Sequence, residues 1–145
     1  MKALMLGWEF PPHILGGLGT ASYGLTKGMA QQEDMEILFV IPKPSGDEDQ
    51  SFMKIIGCNN TPIVWKDVDW ETAKSRFSKY MDPQDYYTMR DHIYADFSYM
   101  NVNDMGCLEF SGKYPQNILE ETNNYSIVTG VIGRAFDYDI IHAHD

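Results

Sequence analysis

Two short stretches hold the residues whose types and spacing could do chemistry. In the first, His142-Ala143-His144-Asp145, the two imidazoles stand two positions apart. On a strand such a pair projects to one side. It can hold a metal, hydrogen-bond a substrate, or simply be satisfied inside a core. A metal would need further ligands. Asp145 directly follows the second histidine, whereas H-x-H-x-D-H hydrolases carry the aspartate one place further on.

The second stretch is WEFPPHILGGLGTASYG, from Trp8 to Gly24. Gly16, Gly17 and Gly19 surround the expected start of a helix, where unpaired amides and the positive dipole end favour an anion. Without Cβ atoms there, a phosphate or a sugar can lie against the backbone. The alternative is that these glycines only permit a tight strand-to-helix turn. Glu9 and His13 lie on the same loop. A dinucleotide motif G-x-G-x-x-G begun at Gly17 and Gly19 would meet Ser22 in place of its third glycine, and no G-K-[ST] exists for a P-loop. Gly24 and Gly28, four apart, fit close helix packing better than ligand contact.

The elements that must position these stretches follow from hydrophobic periodicity. Residues 2–7 form a continuous apolar strand suited to burial on both faces of a parallel sheet. A helix is expected over 18–32, with Leu18, Ala21, Leu25 and Met29 on its inner face. EILFVIP, 36–42, is a second buried strand ended by Pro42. KPSGDEDQ is a solvated loop, and FMKIIGC a further strand. Residues 67–97 read as two helical pieces, the second capped by Asp82 with Pro83 at its first position. Their aromatic stripes (Trp70, Phe77 and Tyr80; Tyr86 and Phe97) could stack on sugar rings, but core packing explains them better. A helix over 115–136, interrupted at Asn123-Asn124, has Ile118, Thr122, Tyr125, Thr129 and Ile132 on one side. DIIHAHD closes as a short buried strand. This order predicts an α/β fold, a Rossmann-like parallel sheet flanked by helices. In such sheets ligands bind beyond the carboxyl ends of the strands, where both stretches fall.

The chain has 145 residues, 43% hydrophobic and 13% aromatic, which suits one globular unit with a core. Its formal charge of −10 and pI of about 4.6 argue against nucleic acid or an anionic membrane as partner. A small phosphorylated ligand held by backbone dipoles is compatible with it. Cys58 and Cys107 lack CxxC spacing and are expected as reduced thiols. No signal-peptide core or bilayer-spanning run is present, so the expectation is a cytoplasmic protein.

MKALMLGWEFPPHILGGLGTASYGLTKGMA resembles the amino terminus of the glycogen and starch synthases and related glycosyltransferases of the GT-B fold. DYDIIHAHD resembles the same enzymes' later strand, where H-A-H-D is followed by tryptophan. The resemblance implies a retaining transfer of glucose from a nucleotide sugar, ADP-glucose or UDP-glucose, to an α-glucan, with no cofactor and no metal. It implies two facing Rossmann-like domains. Residues 1–145 would be part of the N-terminal, acceptor-side one, and the C-terminal nucleotide-binding domain would lie outside this chain. Carried over, Gly16, Gly17 and Gly19 would line the donor diphosphate or sugar. His144, with His142 beside it, would hydrogen-bond the transferring sugar, and Glu9 and His13 would face the acceptor. On this reading the chain alone is inactive, and its uncovered sheet edge leaves self-association open. In place of the Lys-Thr of the ADP-glucose enzymes' Lys-Thr-Gly-Gly-Leu stand Ile14 and Leu15, which removes a fixed positive charge and leaves the donor base open. The rival classes are a metal-dependent hydrolase built on the histidine pair, a non-catalytic nucleotide- or sugar-binding module, and a dinucleotide oxidoreductase, which the missing third glycine weakens.

Overall fold

The computed structural model describes residues 1–63, 103 and 105–144. Strand β1 (Lys2–Leu6), helix α1 (Gly17–Met29), β2 (Glu36–Ile41), β3 (Lys54–Gly57), a 3-10 turn (Cys58–Asn60), helix α2 (Ile118–Ala135) and β4 (Ile140–Ala143) follow in that order. The four strands form one parallel sheet in the order β3-β2-β1-β4. The α/β, Rossmann-like architecture is therefore as expected. The expected helices over 67–97 lie outside the described residues.

Strict alternation along the inner strands sorts their side chains into two layers. Leu4, Leu38 and Val40 join Leu108, Phe110, Ile127, Val128 and Ile132 under α2. Ala3, Met5, Ile37, Phe39 and Ile41 join Phe10, Met53 and Ile55 on the other face, packed by Tyr23, Met29 and Ala30 of α1 and the turn after it. A helix on each face explains why β1 and β2 are apolar throughout rather than alternating. Cys58 and Cys107 are buried free thiols, and burial pushes the Cys58 thiol well above its ordinary range.

Several local expectations are corrected. Helix α1 buries Gly19, Ser22 and Thr26, while Ala21 and Leu25 are exposed and Leu18 is half-buried. The inner face is small and hydroxylated because both hydroxyls are satisfied within the helix. Ser22 Oγ donates to the Leu18 carbonyl at 2.9 Å, and Thr26 Oγ1 to that of Ser22 at 2.8 Å. Short side chains then let α1 lie close to Phe10 and Phe39, with its own Tyr23 ring packed on Phe10. A methyl group at Gly24 or Gly28 would meet nothing within 4 Å, so neither serves close helix packing among the described residues.

Helix α2 runs unbroken through Asn123 and Asn124, both buried. Its inner face takes Glu121, Asn124 and Val128 as well as the expected Tyr125, Thr129 and Ile132. The acidic loop after β2 is more than solvated chain. Glu48 is buried and accepts the amides of Ser45 and Gly46 at 2.6 and 2.9 Å, and Gln50 Oε1 accepts that of Ile55 at 2.9 Å. Among the described residues β4 stands at the edge of the sheet rather than buried within it, with Ile140 and Ile141 49% and 48% exposed. The described residues include no helix long and apolar enough to cross a membrane.

The corrected inner face of α1 has a direct consequence. Leu25→Ala should change stability by less than about 0.5 kcal/mol. Leu4→Ala, 2% exposed between strands and α2, should cost about 2–5 kcal/mol. Urea unfolding of the two variants beside the wild type measures both.

Candidate active site

Strand order reverses at β1. The chain steps outward from β1 to β2 to β3, then returns to lay β4 on the free side of β1. A crevice at such a switch point, at the carboxyl ends of the strands, is the usual ligand site of an open α/β sheet. Both chemistry-bearing stretches meet there. The register pairs Leu6 with Ala143, and the His144 amide donates to the Leu6 carbonyl at 2.9 Å. β1 then runs straight into the glycine loop.

His142 sits beside Met5 in the register, and Met5 belongs to the layer packed by α1. The two imidazoles therefore lie on the α1 face, and their rings meet edge-on with centroids 4.6 Å apart. Gly7, directly after β1, is required by packing. A Cβ there would come within 2.6 Å of the Phe39 ring.

The loop itself is organised by Glu9. This carboxylate is 7% exposed. One oxygen accepts the Leu15 amide at 2.9 Å, and the other accepts those of Gly16 at 3.3 Å and Gly19 at 3.1 Å. Helix α1 starts at an N-cap glycine, which offers no side-chain acceptor. Glu9 reaches back from the strand end to supply one, and its charge complements the positive end of the helix. Part of the anion-binding capacity expected of this N-terminus is thus filled from within the chain. Gly17 is not among the amides Glu9 takes.

The three glycines play different parts. A Cβ at Gly19 would collide with the Ile14 side chain and press on Glu9, so glycine there is structural. At Gly16 and Gly17 a Cβ would meet nothing within 4 Å. Gly16 has an extended backbone with φ −155°, open to any residue, and Gly17 is helical. Neither sterics nor backbone conformation within the described chain calls for glycine at these two positions.

His13 stands further out. Its Nε2 contacts both carboxylate oxygens of Asp47, at 2.8 and 3.0 Å, tying the glycine loop to the β2–β3 connection. The structure thus brings Gly16, Gly17, Gly19, Glu9, His142 and His144 to the carboxyl rim of β1 and β4, with His13 at its outer margin. Sequence reasoning missed the capping role of Glu9 and the partner Asp47. A helix start without Ser, Thr, Asp or Asn, preceded by one acid, was a signal for the first. Nothing local signals the second, 34 positions away. No group of three or more His, Cys, Asp or Glu side chains suited to a metal occurs among the described residues, and Asp145 lies outside them.

Glu9→Ala strands three amides at a helix start and should destabilise the chain by about 2 kcal/mol or more. Added acetate should recover part of that loss in the variant and leave the wild type unchanged at matched ionic strength, as read by thermal unfolding.

Neither curated proteins nor solved structures give a match to this chain. Comparison with protein families matches the starch synthase catalytic domain over residues 2–145. On that match, which spans nearly the whole chain, and on the sheet that brings its two motifs to one rim, the chain belongs to the starch synthase catalytic-domain family and is a glycogen/starch synthase-like glycosyltransferase.

Proposed function

We propose that this chain is the acceptor-side, N-terminal part of a two-domain retaining glucosyltransferase. The enzyme would move glucose from ADP-glucose or UDP-glucose to an α-glucan, without a cofactor or a metal. The observation that carries the reading is the open space at Gly16 and Gly17, in the loop that follows β1, with a histidine pair on β4, the strand paired with β1. Glycines that the fold does not need leave room that a ligand can use. On this reading the room belongs to the switch-point crevice, and His144 would reach the same ligand.

In this reading each group has a separable task. Gly16 and Gly17 let the donor's sugar or diphosphate lie against the backbone. His144 hydrogen-bonds a hydroxyl of the transferring glucose and holds it as the bond to the leaving diphosphate lengthens. A contact that strengthens along that path acts on rate rather than on affinity. His142 packs edge-on against His144 and fixes its ring. Glu9 acts through the loop, keeping the amides of Leu15, Gly16 and Gly19 in place, rather than by touching the acceptor. His13, with Asp47, borders the acceptor side. The leaving diphosphate's charge would be met mainly by the second domain, because Ile14 and Leu15 offer none.

The test separates folding from chemistry. Gly17→Ala places a better helix former in the first turn, so it should be neutral or raise stability by up to about 1 kcal/mol. In the full-length enzyme the same change should lower donor-dependent transfer by at least about tenfold, the added methyl standing where the ligand must lie. Unchanged transfer would remove the donor site from this loop. A second expectation concerns His144→Ala, which should lower kcat far more than it raises KM while leaving the melting temperature nearly in place. A histidine that only fills the fold would give the reverse. This chain alone, without the second domain's clamp on the diphosphate, should release no nucleoside diphosphate at rates near about 1 per second when given both donors and a glucan primer.

A further inference from the structure

On the other side of the same rim stands a group of rings that the transfer step does not use. Trp8 leaves β1 toward the α2 face, opposite to Glu9. Its indole N–H donates to the Lys113 carbonyl at 2.9 Å. Its ring meets Tyr125 nearly edge-on, with centroids 5.5 Å apart and an interplanar angle of 65°. Tyr125 is itself locked, because its hydroxyl donates to the Val40 carbonyl at 2.9 Å, the same carbonyl that takes the Gly7 amide. The half-buried indole is therefore held by its edge and by its polar handle, with little freedom left to lose on binding.

Tyr114 extends this anchored pair to the surface. Its ring lies 6.2 Å from Trp8 at a tilt of 34° and is 53% exposed. A single exposed tyrosine is ordinary. Here the exposed ring is backed by an immobilised indole, which is itself pinned to the neighbouring residue, and the pair borders the loop that Glu9 organises. The surroundings select against charge. Partial burial pushes the Tyr114 phenol above its ordinary value, and the Glu9 carboxylate adds to that, so one negative group acts on the ring. The chain as a whole carries −10. An anionic ligand is repelled from such a surface, while an uncharged one is not.

We infer that Trp8 and Tyr114 form a stacking shelf for a glucosyl unit of an uncharged α-glucan, an acceptor subsite on the α2 side of the rim. The inference rests on the α-glucan reading above and adds the residues that would hold the chain. The C–H face of a pyranose carries slight positive charge and lies flat on the negative face of an aromatic ring, and its rim hydroxyls stay in water. A shelf there, across β1 from the histidine pair, would let an extended acceptor run over the strand end toward the site of transfer.

Maltoheptaose titrated into the isotope-labelled chain, with the Trp8 indole N–H resonance assigned by its loss in Trp8→Phe, tests the shelf. The expected result is a saturable shift of that resonance with a dissociation constant of order millimolar. Tyr114→Phe should bind within about twofold of wild type, and Tyr114→Ala should weaken binding by about tenfold with an unchanged melting temperature. Pyrophosphate at matched ionic strength should leave the resonance in place. Maltoheptaose binding that does not move Trp8, equal binding by Tyr114→Ala, or a saturable response to pyrophosphate overturns the shelf and leaves the α-glucan reading standing. No binding of maltoheptaose by the folded chain overturns the shelf and counts against that reading as well.

Discussion

The hydrogen bond from the His144 amide to the Leu6 carbonyl marks the constraint on which the site depends. It fixes the end of β4 against the end of β1 and so joins two sequence stretches more than a hundred residues apart. Had β4 added beyond β3 instead, two whole strands would separate the histidine pair from the strand that leads into the glycine loop. Because it adds on the free side of β1, the strand order reverses there, and the loop that leaves β1 and the histidine pair share the carboxyl rim of two paired strands. The apolar alternation of β1 and β2 makes this arrangement stable, since each face finds its own helix and its own core layer.

Within that frame a single carboxylate settles what the glycine loop can offer. A helix that begins Gly16-Gly17-Leu18-Gly19 has no side-chain cap of its own, and its exposed amides would otherwise draw any passing anion. Glu9 answers them from the strand end and is buried in doing so. The loop is therefore shaped before a ligand arrives. What it presents is space at Gly16 and Gly17 rather than a full nest of free donors. That distinction fits a family member whose loop carries Ile14 and Leu15, with no cation to balance a diphosphate.

How far the sequence foretold this depended on how local each interaction is. β1 and β2 were legible because continuous apolar runs bounded by Gly7 and Pro42 have few other readings. The rim placement of both motifs followed from strand direction alone. The inner face of α1 was not legible, because Gly19, Ser22 and Thr26 carry little hydrophobic signal and their hydroxyls are satisfied inside the helix. Leu25, which periodicity puts inside, is exposed. β4 was legible in part, since an uncovered sheet edge was expected while its apolar run read as buried. Ile140 and Ile141 look like core residues, and only the sheet order reveals that no described strand covers them. The union of His13 with Asp47 and of Trp8 with Lys113 and Tyr114 arises from tertiary folding over long separations, which no local pattern encodes.

The central claim is that transfer takes place at the carboxyl rim where β1 meets β4, on the face shared by the glycine loop and the histidine pair. Its most direct test is a crystal structure of the full-length enzyme with an unreactive nucleoside diphosphate glucose analogue bound. The account predicts the glucosyl ring against the backbone of Gly16 and Gly17 and within hydrogen-bond distance of the His144 imidazole. A glucosyl ring bound at the amino edge of the sheet, or over the outer face of α1 along Ala21 and Leu25, would contradict it.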